Sequence, residues 1–183
     1  MSKSVKIGLA AVFISIFFEI STFYYGIHEN INASEISFMF HSLILIISIS
    51  TTIISISKNE LITQFKAGIK TTSIFAIFMS IFFFSYNKWI NPDYMENRRK
   101  YLIELTKADL TKENIKREMD ANPKYYESES SEDLIDNQQE SINTTREPKV
   151  IFALSLFSLM FLGMFFSLLI SLANRFIQKR FTQ

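Results

Sequence analysis

Cysteine is absent from the 183 residues, which excludes disulfides, thiolate catalysis and Cys-based zinc or iron–sulfur sites. Glycine occurs four times, at Gly8, Gly26, Gly68 and Gly163. Each lies in or at the end of an apolar stretch, so the chain offers no glycine-rich phosphate loop and the glycines are expected to serve close packing. No catalytic signature and no metal-ligand cluster is visible either, which leaves the expectation of a protein that is not an enzyme and carries neither cofactor nor metal. Proline and phenylalanine are missing from complementary parts: all three Pro (Pro92, Pro123, Pro148) fall within residues 91–149, and all 19 Phe fall outside them. Two different solvents have shaped one chain.

What the chain has in abundance is apolar length. Residues 5–27, 36–56, 65–90 and 150–173 form four runs, and each as a helix of ~20 residues can cross a hydrocarbon core ~30 Å thick. They predict an all-α integral membrane protein with four transmembrane helices and a charged helical insertion between the third and fourth. The chain then divides into residues 1–90 with three spans, 91–149 as the insertion, and 150–183 with the last span and a basic tail. The insertion is too polar and too short for a sizeable core of its own. Lys3 precedes the first run and Lys6 stands at its start, as in a signal peptide, but the run is long and ends in Phe23, Tyr24 and Tyr25 without a small-residue cleavage pattern. It is expected to stay as a signal-anchor helix.

Basic residues orient the spans. Lys3 and Lys6, then Lys58, Lys66 and Lys70, then Arg175, Lys179 and Arg180 flank ends that must share one side, whereas residues 28–35 contain no Lys or Arg. The positive-inside rule places both termini in the cytoplasm and residues 91–149 outside. Lys88, Arg98, Arg99 and Lys100 pull the other way, although connections of roughly sixty residues or more translocate largely regardless of charge. Tyr24, Tyr25, Tyr86 and Trp89 sit at the outer ends, as an aromatic belt would. Two N-glycosylation patterns, beginning at Asn32 and Asn143, fall in the outer loops and carry no weight beyond agreeing with this topology.

Lipid tails give helices no hydrophobic reason to associate, so contact faces should carry small residues that let backbones approach. Gly68, Thr72, Ala76 and Ser80 form such a ridge on the third span, and Gly163, Ser167 and Ser171 form another on the fourth. Ala11, Ser15 and Glu19 share a face of the first span, and His41, Ser48 and Thr52 a face of the second. The economical arrangement is an antiparallel, up-down-up-down bundle with these stripes inward and bulky residues toward lipid. Lys6-Ile7-Gly8-Leu9 echoes Lys66-Ala67-Gly68-Ile69; spans two and four show no comparable match, so convergent membrane-entry chemistry explains the echo.

Glu19 is the sharpest local feature, because a carboxylate within a span is costly and such residues are functional candidates. It lies ~12 Å below the outer end of its run and His41 lies ~8 Å down the antiparallel neighbour, at 1.5 Å per residue, so the two can meet. One reading is a proton-responsive or ion-binding pair. The other is a protonated Glu19 hydrogen-bonded to a Ser or Thr across the bundle.

The insertion holds 14 acidic and 10 basic residues and lacks Phe, Trp, Val and Gly. Asn91-Pro92-Asp93 reads as a helix start, with Asn91 as cap, Pro92 in the first turn and Asp93 complementing the dipole. A helix to about Ala108 would show Tyr94, Met95, Tyr101, Leu102 and Leu105 on one face. Thr111 opens a second helix carrying Ile115 and Met119 that ends before Asn122-Pro123, and Ser130 with Asp133 caps a third. The acidic balance argues against nucleic-acid binding. Partners are expected instead in the lipid bilayer, in a second copy of the chain or in another membrane protein.

From Phe65-Lys66-Ala67-Gly68 through the apolar run to Tyr86, Trp89 and Ile90-Asn91-Pro92-Asp93-Tyr94, followed by a charged helix, the sequence resembles a bacterial, mainly Bacteroidetes, family of small membrane proteins catalogued as domain of unknown function 4199 (DUF4199). The resemblance covers nearly the whole chain and is most specific between Phe65 and Tyr94. It implies the bacterial inner membrane and a span, charged-insert, span order. It supplies no functional residues to carry over; Gly68, Pro92 and Asp93 match as structural punctuation. The function expected is therefore assembly with itself or another membrane protein, with a small transporter or proton-responsive subunit centred on Glu19 and His41 as the alternative.

Overall fold

A computed structural model describes residues 1–27, 33–56, 60–109, 117, 121 and 131–181. In chain order the helices are α1 (Lys3–Tyr24), α2 (Ala33–Ile54), α3 (Leu61–Ser85), α4 (Pro92–Asp109), α5 (Ser131–Thr145) and α6 (Pro148–Phe181), with a π-helical turn at Tyr86–Ile90 after α3. No strand occurs among the described residues. Helices α1, α2, α3 with its π turn, and α6 are each long and apolar enough to cross a membrane. The last outruns its apolar stretch: nothing between Ala173 and Phe181 breaks a helix, and Arg175 and Arg180 in its final turns suit the negative end of the dipole. At 34 residues it is ~51 Å long, well beyond a bilayer core.

The chain divides into two compact units, residues 1–84 with 152–183, and residues 85–151. In the first, one apolar core draws on all four long helices, with Val12 from α1, Leu45 and Ile49 from α2, Phe75 and Met79 from α3, and Leu159 from α6. Cross-helix contacts give the directions. Lys3 reaches the Ser55 carbonyl at one end of α1 and α2 while Glu19 meets His41 toward the other, so these helices are antiparallel. Thr52 meets Thr71 and His41 meets Phe83, which makes α2 and α3 antiparallel too.

Side chains are distributed as a lipid solvent requires. Ser15, Thr52, Thr71, Thr72, Ser80, Ser167 and Ser171 are fully buried, whereas Phe13, Phe17, Phe157 and Phe161 stand on the outside; Phe17 is 75% exposed. In water such a surface would be an aggregation liability. In lipid it is the solvated face, and the small hydroxyl residues let backbones close up inside.

In the second unit, Pro92 pushes Asn91 out of the helical region, to φ −138° and ψ 65°. The Asn91 N–H then donates to the Tyr86 carbonyl at 2.8 Å, closing the wider turn that ends the third span. Asn91 Oδ1 accepts from the Tyr94 N–H at 3.3 Å, capping α4 where the Asn-Pro-Asp pattern places the cap. Its Nδ2 donates to the Tyr86 hydroxyl. This knot folds residues 85–91 with α4, which is why the unit boundary precedes residue 91. α4 packs along α5.

Several expectations need correction. Tyr86 is buried and cannot join an aromatic belt, whereas Tyr24, Tyr25 and Trp89 are exposed. Leu105 is exposed, while Tyr94, Met95, Tyr101 and Leu102 are half-buried. Among the described residues nothing lies within 4 Å of a Cβ placed on Gly26; it supplies instead the positive φ, +68°, with which the chain leaves α1. Asn143 lies inside α5, not in a loop. Asn32, Lys58, Thr111, Ile115, Met119, Asn122-Pro123 and Ser130 lie outside the described residues.

Candidate functional site

α1 buries Ala11, Ser15 and Glu19, and α2 buries His41, Ser48 and Thr52. Their antiparallel register brings Glu19 Oε1 to 2.7 Å from His41 Nε2, with His41 3% and Glu19 8% exposed. That is a short contact in an enclosed place. Three aromatic rings close it off. Phe18 and Phe40 stack across the α1–α2 seam with centroids 3.8 Å apart, and Phe83 of α3 stands edge-on to the imidazole at 5.4 Å. Among the described residues His41 Nδ1 has no hydrogen-bond partner. The nearest charged side chains along these helices, including Lys3, Lys6, Glu35, Lys66 and Lys70, are all exposed.

The two small-residue ridges lie inside the molecule, and they meet each other. A methyl group on Gly68 would stand 2.6 Å from Ser167 Oγ, and one on Gly163 would stand 2.8 Å from Thr72 Cβ. Four residues forward on α3 correspond to four back on α6, which is an antiparallel pair. Continuing that register sets Ala76 opposite Leu159, both in the core. Ser80 and Ser171 are also buried. On the other side Gly8 of α1 approaches the Thr71 carbonyl, and Thr71 Oγ1 lies 2.9 Å from Thr52 Oγ1 and 3.3 Å from the Ser4 carbonyl. If Thr71 donates to Ser4 it accepts from Thr52, so one hydroxyl ties three helices together. Thr71 has no signal in the sequence beyond standing next to Thr72. The aromatic collar has none either, because Phe18, Phe40 and Phe83 are three among 19.

Four membrane-length helices that bury hydroxyls and one acid–imidazole pair, and present phenylalanine outward, define a multi-pass membrane protein. More narrowly, the chain belongs to the family described as "Protein of unknown function (DUF4199)", whose model matches residues 6–175. Comparison with curated proteins and with solved structures gave no match.

Proposed function

We propose that this is a non-enzymatic, proton-responsive subunit of the bacterial inner membrane, with both termini cytoplasmic and residues 91–149 outside. The basic residues around the first, third and last span ends support that orientation. The observation that carries the functional reading is the enclosed 2.7 Å contact between Glu19 and His41. Two protons, one shared between Glu19 Oε1 and His41 Nε2 and one on Nδ1, make the pair net neutral. The Nδ1 N–H has no acceptor among the described residues, so this state is held by the Oε1–Nε2 contact alone; a further proton, on the carboxyl group, leaves a net positive charge in a low-dielectric place, and loss of one proton leaves a net negative one. Either change favours separation of α1 from α2, because an unpaired buried charge is strongly destabilising. Proton occupancy thus couples to the packing of two helices.

Assembly with a second copy or another membrane protein, the function first expected, must use other surfaces than the ridges. Those are filled within the chain by each other. It is compatible with a proton-driven change at the lipid-facing sides of α1 and α2.

Glu19→Gln separates sensing from simple structure, since the amide keeps a hydrogen bond to the imidazole but cannot titrate. The natural chain has no cysteine, so spin labels at Tyr25→Cys and Ile36→Cys report the α1–α2 spacing in proteoliposomes. The spacing is expected to change between pH 5 and pH 8 in the otherwise native protein and to stay fixed with Glu19→Gln. A spacing indifferent to pH in both would sink the proposal.

A further inference from the structure

Within the 85–151 unit lies a cleft of about 230 Å³ whose wall includes Asn87, Glu96, Arg99, Asn143, Arg146 and Glu147. Its positive charges are unequally committed. Arg99 holds Glu96 at 2.6 Å and Lys100 joins the same carboxylate at 3.6 Å. Arg146 has no ion pair among the described residues. Burial pushes its guanidinium down, Arg98 adds a like charge, and Tyr94 opposes them; a guanidinium nevertheless stays charged in proteins. Its backbone is fixed in the two-residue link between α5 and α6, where Arg146 N donates to Ile142 O and Glu147 N to Thr144 O. Pro92 and Pro148, the first residues of α4 and α6, also line the cleft, so the two helix dipoles add partial positive charge beside Arg146.

We propose that this cleft binds a phosphate group, with Arg146 as principal contact and the amides of Asn87 and Asn143 beside it. This inference is independent of the proton-responsive reading. The chemistry follows from a half-buried guanidinium that lacks an anion, since planar forked donors suit phosphate oxygens. The phosphate has two sources. Asn87 belongs to the apolar third span and Pro148 opens the fourth, which puts these residues at the depth of lipid headgroups; free phosphate is the other source.

The test uses the full chain in phosphate-free, non-ionic detergent and follows its thermal unfolding midpoint. It is titrated with phosphatidylglycerol, with inorganic phosphate, or with diacylglycerol, which has the same tails and no phosphate. A midpoint that rises with phosphatidylglycerol alone assigns the site to lipid, and one that also rises with inorganic phosphate assigns it to the phosphate group from either source. Arg146→Gln is expected to weaken the response roughly ten-fold, as loss of a charge-assisted contact would. Arg146→Lys and Asn143→Ala should each weaken it several-fold and keep the comparison open if the glutamine variant does not fold. Equal responses to diacylglycerol and phosphatidylglycerol, or variants that respond like the natural protein, would overturn the proposal.

Discussion

A carboxylate and an imidazole withdrawn from water either find each other or leave a costly group unpaired, and Glu19 and His41 find each other because their helices run in opposite directions. Glu96, in the second unit, shows the same attraction in a solvated setting. A hydrogen bond from Arg99 holds its carboxyl below the ordinary value of 4.5, desolvation opposes that, and the charges of Arg99 and Lys100 add to it. A carboxyl lowered on folding contributes stability at pH above its unfolded value and loses it as pH falls through the lowered folded value. The contribution is therefore present at neutral pH and disappears in acid. Nuclear magnetic resonance titration of the Glu96 side chain should show its midpoint moving up toward 4.5 in Arg99→Gln; an unmoved midpoint would show that Arg99 is not its cause.

Between elements, the closest glycine approaches are those of α3 with α6, where glycine on each helix receives a hydroxyl residue of the other. Gly163 faces Thr72, whose branched Cβ sits in a stiff rotamer and cannot turn away cheaply. We expect Gly163→Ala to destabilise the protein by about 1–3 kcal/mol, the usual cost of overpacking a filled core. Thr72→Ala removes two of the three crowding atoms and should recover part of that loss, so the double variant will be less destabilised than the two single effects combined. Unfolding in mixed micelles provides the comparison, and simple additivity would show that the two residues do not crowd each other. Gly68→Ala meets Ser167, which is smaller and unbranched, and should be the milder change.

For the molecule as a whole, the side of the membrane that receives the charged insertion decides which partners it can meet. With no native cysteine to interfere, Asp136→Cys on exposed α5 and Arg175→Cys on exposed α6 make a matched pair. A thiol reagent that enters the periplasm but not the cytoplasm is expected to label the first in intact cells and the second only after lysis. The reverse pattern would invert the topology and move the Arg146 cleft to the cytoplasmic face. The Glu19–His41 pair would keep its geometry, since it depends only on α1, α2 and α3.

Much of this was legible in the residues themselves. Apolar length dictated four helices, because a backbone in lipid must satisfy its own hydrogen bonds. Asn91-Pro92-Asp93 dictated where α4 begins, because capping is local chemistry. Small residues spaced by four marked the inward faces of α3 and α6, since that spacing returns to one side of a helix. What the spacing could not say is which ridge meets which, and only the tertiary register decided that Gly68 takes Ser167 and Gly163 takes Thr72. Arg146 carries no signal in the sequence for the same reason: its cleft is built from residues as distant in the chain as Asn87 and Asn143. Periodicity fixes which way a side chain faces along its own helix, while the neighbour it faces is set by how separate helices align, and that alignment is recorded in no single segment.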